Sequence, residues 1–219
     1  LGVSEDPKSL EGKKLGAPPP DAAFGQWPAF ASVAGIDTGT ITIENVGFPV
    51  REPMLAQGQV DAIFGFSFSS VINLKAQGVD PDDIALIMMA ENGLDLYGNV
   101  VMVNSDFAEA NPDAVKGFIK ALTKGFQDTV ADPEAAVGFV IPRNEVLNKD
   151  VELDRLNMAI AQSIKTPAVV ANGFGGIDPA KLTQSMEFLK TSMGVANPPA
   201  ADKVFDSSYL APKEERMLP

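Results

Sequence analysis

Short β-strand patterns alternate with helical patterns through the first half of the sequence, and this alternation constrains the fold more than any other feature. The predicted strands are Lys13–Ala17, Thr40–Val46, Val60–Phe66, Ile84–Ala90 and Asn99–Val103. The predicted helices are Asp21–Gly35, Val50–Gln57 and Ser67–Gln77. Because each early strand is followed by a helix, this order predicts an α/β lobe with a mostly parallel sheet.

The second half of the sequence is predicted to be helical. Prolines that follow Asn111, Asp132 and Asp178 indicate three helix starts, and a further helix is expected over Val151–Lys165. No strand is predicted after Val103. The first of these helices places five apolar side chains on one face, namely Val115, Phe118, Ile119, Leu122 and Phe126. Helices with an apolar face of this kind either pack on each other or cover a β-sheet. In the second case the sheet would lie outside the 219 residues of this sequence.

The sequence contains neither histidine nor cysteine, and this restricts its chemistry. Without cysteine there are no disulfides, thiol nucleophiles or thiolate zinc sites. Without histidine the commonest general base and the commonest transition-metal ligand are missing. The acidic residues do not have the spacing of a calcium-binding EF-hand loop. We therefore predict no catalytic residues, no metal site and no cofactor.

Charge and hydropathy exclude two further classes of partner. The formal net charge is −12, with 29 acidic and 17 basic residues, and no basic stripe is present, so nucleic acid is a poor partner. The longest apolar run, Ile84–Ala90, is far shorter than the roughly 20 residues that a transmembrane helix needs. The sequence begins at Leu1 rather than at methionine, which suggests a processed or truncated chain.

Three loops that join a predicted strand to a predicted helix carry candidate ligand contacts. In the first, Asp21 is either a helix N-cap alone or both a cap and a ligand contact. In the second, Arg51 either binds an anionic group or forms a surface ion pair with Glu52 or another acid. In the third, Phe66 and Phe68 alternate, so one ring is expected to face the core and the other a cleft, although an ordinary core strand with a serine cap gives the same pattern.

Three other features of the sequence bear on a ligand site. Tyr97 and Asn99 form a polar turn before a predicted strand and are consistent with a hinge or with a simple turn. Trp27, the single tryptophan, is expected in the core. The glycine-rich segment 172–176 lacks the following Lys-Ser/Thr of a phosphate loop, so it does not indicate nucleotide binding.

Five segments together resemble a known family. They are LEGKKLGAP at Leu10–Pro18, REPMLAQGQVDAIFGF at Arg51–Phe66, YGNVVMVNSDFAEANPDAVKGFIKAL at Tyr97–Leu122, GFGGIDPAKLTQSMEFL at Gly173–Leu189 and VFDSSYLAP at Val204–Pro212. Their combination resembles the type II periplasmic solute-binding proteins of ABC importers. The branch it resembles binds thiamine-pyrimidine precursors, sulfonates, taurine and nitrate.

The resemblance implies an α/β fold of the periplasmic binding protein type II kind. Residues 1–98 would form one complete α/β lobe, lobe two, and residues 99–219 the hinge return and the mainly helical C-terminal part of lobe one. In the family, roughly a hundred further residues precede this region, on ordinary domain sizes. The expectation is therefore that the chain is a fragment, or that the upstream part belongs to another chain.

The resemblance also implies a function without catalysis. The protein would capture a small anionic or heteroaromatic solute between its lobes, as a periplasmic or otherwise extracytoplasmic protein that docks on an ABC permease in the inner membrane. It would be a monomer when full length. The implied ligand contacts are Pro20, Asp21, Ala22, Arg51, Phe66, Ser67 and Phe68, with Tyr97 and Asn99 near the hinge. The Pro-Pro-Pro-Asp stretch at Pro18–Asp21 departs from the Gly-Ser/Thr loop of many relatives.

Two functions other than transport are compatible with this type of fold. A sensory ligand-binding domain would bind a similar solute, but nothing in the sequence supports a fused membrane segment. A pyrimidine-phosphate synthase shares this fold, and its family relies on an iron site rich in histidine and cysteine. That enzyme is disfavoured because neither residue type is present.

Overall fold

A computed structural model describes residues 1–192 and 194–219. The chain divides into two compact units, residues 1–96 and residues 97–219.

A three-stranded parallel sheet lies in the first unit. Its strands are β1 (Lys14–Ala17), β2 (Thr42–Asn45) and β3 (Ala62–Ile63), in the order β2-β1-β3. Leu15 in the central strand lies opposite Ile43 on one side and Ala62 on the other. The prediction of parallel strands in these three segments is confirmed, although each strand is shorter than predicted.

Four helices connect and follow these strands: α1 (Ala22–Gly25), α2 (Trp27–Ala34), α3 (Arg51–Ala56) and α4 (Ser67–Ala76). The single helix predicted over Asp21–Gly35 is wrong, since Gln26 separates α1 from α2. Pro28 stands in the first turn of α2, where its missing N–H leaves no hydrogen bond unmade. Gly35 ends α2 as predicted, with a φ of 66° that favours glycine.

The strand predicted over Ile84–Ala90 is wrong. The structure has 3-10 turns at Pro81–Asp83 and Met89–Asn92 with irregular chain between them. These side chains are half-buried for the most part, so the apolar run packs on the unit without joining the sheet. An apolar run alone does not decide whether a neighbouring strand is available for hydrogen bonding.

The core of the first unit is formed where α2 packs on the sheet. Phe30, Leu15 and Val60 are each at most 2% exposed. Trp27 is 6% exposed, as expected for a core tryptophan, and its ring lies 5.4 Å from that of Phe64 and 6.2 Å from that of Phe30. These large apolar side chains supply most of the surface that the unit removes from water.

The second unit is helical over its described residues. Its helices are α5 (Ser105–Ala110), α6 (Pro112–Ala131), α7 (Pro133–Val140), α8 (Lys149–Ala159), α9 (Pro167–Asn172) and α10 (Pro179–Ser192). The helix starts predicted at three prolines are confirmed in α6, α7 and α10. A π-helical turn, Ile160–Ile164, continues α8, so the helix predicted to Lys165 is present with altered geometry near its end.

The strand predicted over Asn99–Val103 is also wrong, since this segment is irregular and exposed. The side chains of Val100, Val101, Met102 and Val103 are between 46% and 87% exposed. Phe118, one of the five apolar residues predicted on one face of α6, is 57% exposed, whereas Val115 and Thr123 are buried. The second unit therefore presents much apolar surface that its own described residues leave uncovered.

A buried arginine organises the C-terminal residues of the second unit. Arg216 donates from Nε to the carbonyl oxygen of Ala211 at 2.8 Å and from Nη1 to that of Phe174. The Phe174 ring packs against Phe126 of α6 at 4.3 Å between centroids. The glycine-rich segment 172–176 thus has a structural role here, beside the last 3-10 turn, Lys213–Arg216.

Candidate functional site

The loops that follow the three strands meet at the carboxyl edge of the sheet. Asp21 follows β1, Arg51 follows β2, and Gly65 follows β3. All three are in contact, because the guanidinium group of Arg51 reaches both other loops. In open α/β sheets, ligands bind at this edge.

Arg51 is buried and bound by two carboxylates. Its Nη1 lies 3.0 Å from Asp21 Oδ2, and its Nε and Nη2 donate to Glu52 Oε1 at 3.1 and 2.7 Å. The Arg51 side chain is only 8% exposed. The sequence left two possibilities open for Arg51, and the structure shows ion pairing. One of the two partners, Asp21, is 30 residues away in the sequence.

Glu52 receives a third hydrogen bond, from the hydroxyl of Ser70 on α4 at 2.9 Å. Burial acts to raise the pKa of Glu52, but the hydrogen bonds from Arg51 and Ser70, together with the charge on Arg51, hold that pKa below its ordinary value of 4.5. Glu52 is therefore an ionised group at neutral pH, and it joins α3 to the start of α4.

Asp21 caps α1, as the sequence predicted, and also pairs with Arg51. Its Oδ1 accepts from the backbone N–H of Ala23 at 2.7 Å, while Oδ2 faces Arg51. The neighbouring Pro20 and Ala22 are exposed at the same loop. The Asp21 carboxylate thus occupies the N-terminal end of α1.

Aromatic rings lie beside this cluster. Phe66 is 56% exposed and stacks on Phe68 with centroids 5.3 Å apart and an interplanar angle of 16°. The expectation that one ring faces the core and the other a cleft is wrong, since Phe68 belongs to α4 rather than to an extended strand. Phe48, which is 47% exposed, has its ring 5.7 Å from the Arg51 guanidinium carbon.

Gly65 allows the loop after β3 to approach the arginine closely. A Cβ at this position would lie 2.7 Å from Ser70 Oγ and 2.9 Å from Arg51 Nη1. We expect Gly65→Ala to displace both groups and to lower the free energy of unfolding by about 1–3 kcal/mol, measured by urea denaturation. Gly25→Ala is the matched control, because a Cβ there meets nothing within 4 Å. Equal stability of the two variants would contradict this account.

Tyr97 and Asn99 belong to the second unit. The Tyr97 hydroxyl accepts a hydrogen bond from the backbone N–H of Asp178 at 2.8 Å, and Lys181 Nζ lies 4.8 Å from the ring centroid. Asn99 is exposed. Tyr97 therefore fixes the start of its unit to the first turn of α10.

Two cavities in the structure lie away from these loops. One, of about 520 Å³, is in the second unit along α6 and is lined by Lys120, Thr123 and Gln127 among others. The other, of about 310 Å³, is in the first unit and is lined by Trp27, Ser32 and Thr38 among others. Neither of these two cavities is lined by the strand-end loops around Arg51.

Sequence reasoning missed Ser70, Phe48 and Gly65, and it considered Glu52 only as a partner for Arg51. Each lies within a few residues of a predicted contact. Their contacts with Arg51 depend on how the three loops converge, which the order of residues alone does not specify. A glycine directly after a buried strand and before a polar helix start was the available indication for Gly65.

The described residues contain neither a candidate metal cluster nor a candidate membrane-spanning helix. Among them, no group of three or more acidic side chains is placed to hold a metal ion. Within residues 1–192 and 194–219, no helix combines the length and apolar character that crossing a membrane requires.

A family profile described as "NMT1/THI5 like" matches residues 3–136. The chain belongs to this family. The matched region contains the whole sheet and all three strand-end loops. The resemblance inferred from the sequence segments is therefore confirmed.

Several curated proteins are similar to this chain over much of its length. The riboflavin-binding protein RibY of Chloroflexus aurantiacus is 22% identical over 92% of this chain and 57% of its own length. The formylaminopyrimidine-binding protein of Halalkalibacterium halodurans is 22% identical over 93% of this chain and 61% of its own. A 4-amino-5-hydroxymethyl-2-methylpyrimidine phosphate synthase of Aspergillus parasiticus is 27% identical over 62% of this chain and 41% of its own.

A solved structure shows the same fold. The periplasmic sulfonate-binding protein SsuA of Methylobacillus flagellatus KT matches 94% of this chain with a TM-score of 0.54 at 15% identity. The predicted α/β fold class of the periplasmic binding protein kind is confirmed. The chain spans 61% of that structure and at most 61% of the three curated relatives described above.

Proposed function

We propose that this chain forms the solute-binding part of an extracytoplasmic binding protein for an ABC importer. The observation that supports this most is the meeting of three strand-end loops around Arg51 at the carboxyl edge of a parallel sheet. Exposed rings of Phe66 and Phe48 border the same loops. Together they offer polar groups that orient a ligand and apolar surface that covers it.

The solute we propose is a small molecule with a flat heteroaromatic ring. Phe66 supports this, because its exposed ring is already stacked on Phe68 and offers a second stacking face. The names of two relatives, which bind riboflavin and formylaminopyrimidine, agree with it. An anionic solute such as a sulfonate, taurine or nitrate is the second candidate. The name of the sulfonate-binding structural relative agrees with it, but Arg51 is already paired with two carboxylates.

The two units take different parts in this proposal. Residues 1–98 would form lobe two, and residues 99–219 the hinge return and the helical part of lobe one. The proposed ligand contacts in lobe two are Pro20, Asp21, Ala22, Arg51, Phe66, Ser67 and Phe68, with Tyr97 and Asn99 near the hinge. The protein would be a monomer that delivers its solute to a membrane permease from the periplasm.

We propose binding rather than synthesis for this chain, although one relative is a synthase. These 219 residues contain no histidine or cysteine, so the usual acid–base and thiol groups are missing. The ionisable groups that meet at the strand-end loops are bound to each other. Such a cluster positions loops and leaves no carboxylate poised to accept a proton.

The test is solute binding by the chain, measured by isothermal titration with riboflavin, an aminopyrimidine, taurine and nitrate. We expect the heteroaromatic probes to bind and Phe66→Ala to weaken that binding about tenfold, since stacking of one ring on a base contributes roughly 1–3 kcal/mol. Phe139→Ala, at a residue 74% exposed in the second unit, is the matched control. Absence of binding by every probe would refute the proposal.

A further inference from the structure

We propose that Glu52, together with Asp21, determines charge specificity at the strand-end loops by cancelling the charge of Arg51. The loops would thereby exclude anions. They would accept solutes whose contacting part is uncharged at the carboxyl edge of the sheet. This inference rests on the proposed function, since it assumes that the loops are the solute site. It assigns Glu52 a role in selecting the solute, beyond its role in joining α3 to α4.

The cluster carries more negative than positive charge. Asp21 and Glu52 both pair with Arg51, at 3.0 and 2.7 Å, so two carboxylates surround one guanidinium and the net charge is minus one. The pKa of Glu52 lies below its ordinary value, so Glu52 remains ionised at neutral pH. An approaching anion therefore meets a repulsive site although an arginine stands at its centre.

The other cations of the first unit do not compensate for this charge. The basic residues of 1–96 are Arg51 and four lysines, and all four lysines lie outside the three loops. Lys8, Lys13 and Lys14 stand at or before the start of β1, at the amino edge of the sheet, and Lys75 stands in the last turn of α4. Arg51 is thus the single cation that this unit brings to the carboxyl edge.

The geometry of Arg51 also opposes its use as an anion ligand. Three of its N–H groups already donate to carboxylates. Its side chain is 8% exposed, and the loop at Gly65 lies against it. An anion that reached the two remaining N–H groups of Arg51 would lie beside two carboxylates that already neutralise the guanidinium group.

The experiment compares anion binding by the full chain and by three variants that each remove one negative charge. Glu52→Gln and Asp21→Asn change the cluster, and asparagine still caps a helix. Glu44→Gln changes an exposed residue of β2 in the same unit. Sulfate and methanesulfonate are titrated against each protein at constant ionic strength, with Trp27 fluorescence and thermal unfolding as readouts.

We expect no saturable binding of either anion by the unaltered chain. Glu52→Gln and Asp21→Asn should each acquire saturable anion binding, at least about tenfold tighter than the weakest binding that the titration detects, whereas Glu44→Gln should not. A general loss of structure does not produce a gain in affinity, and each cluster variant tests the idea if the other fails to fold. Saturable anion binding by the unaltered chain, or an equal gain in Glu44→Gln, overturns the inference.

The outcome is separate from that of the proposed function, because the probes here are simple anions. If heteroaromatic solutes fail to bind while Glu52→Gln gains sulfate binding, the charge arrangement stands and the proposed solute is wrong. If heteroaromatic solutes bind while the cluster variants gain no affinity for anions, solute capture stands and Glu52 has no part in specificity.

Discussion

Arg51→Met is expected to destabilise the first unit by about 3–5 kcal/mol. The substitution keeps an apolar stem of similar length but leaves the carboxylates of Asp21 and Glu52 buried without their cation. Breaking a buried ion pair from one side is costly because the remaining charge has lost both its partner and its water. Urea denaturation followed by the fluorescence of Trp27, which lies in the same unit, measures the loss.

Lys8→Met is the control, since it removes one positive charge from an exposed position of the same unit. It should change stability by no more than about 0.5 kcal/mol. The double variant Arg51→Met with Glu52→Gln should recover part of the loss, because it removes one of the two unpaired carboxylates. If Arg51→Met unfolds at the same urea concentration as Lys8→Met, the buried cluster does not contribute to stability as described.

Phe30→Ala is expected to cost about 3–5 kcal/mol, because it leaves a cavity where α2 packs on the sheet. Phe30 is 2% exposed, and its ring lies 6.2 Å from that of Trp27, so neighbouring side chains cannot easily fill the space. Circular dichroism during urea denaturation measures the effect without depending on the altered surroundings of Trp27. A loss below about 1 kcal/mol would show that the core repacks around the missing ring.

Phe66→Ala is the matched control for this truncation. Phe66 is 56% exposed and has one stacking neighbour, so its loss should be near 1 kcal/mol. Phe66→Ala and Phe30→Ala should therefore differ in which property they affect, solute binding or stability. The first weakens solute binding with little loss of stability, and the second lowers stability while leaving the loops intact in the folded fraction.

Local patterns were sufficient to predict β1, β2 and β3, because each is a short β-branched or apolar run with a helix after it. They failed at Ile84–Ala90 and Asn99–Val103, which have the same kind of composition. A strand exists only where a neighbouring strand offers hydrogen bonds, and the described residues provide none at these two segments. Amino-acid composition indicates whether a segment favours an extended backbone. Whether that segment forms a strand depends on the other strands of the sheet.

The candidate site shows the same limit. Arg51 was identified as a candidate contact from its loop, and pairing with Glu52 was foreseen as one alternative. The contact with Asp21 could not be foreseen, because it joins residues 30 positions apart and exists only after β1 and β2 have paired. The close approach of Gly65 likewise requires β3 to lie beside β1. Roles for the individual loop residues as ligand contacts stay predictions.

The central place of β1 has a consequence for synthesis of the chain on the ribosome. Within residues 1–96, β1 is made first, yet both of its partners, β2 and β3, follow it in the sequence. Neither edge of β1 can pair until residues 42–45 have emerged, and the second edge waits for residues 62–63. During that interval Leu15 and the unpaired backbone of β1 can associate with other nascent chains. A chaperone would therefore be needed most before β2 and β3 have been synthesised.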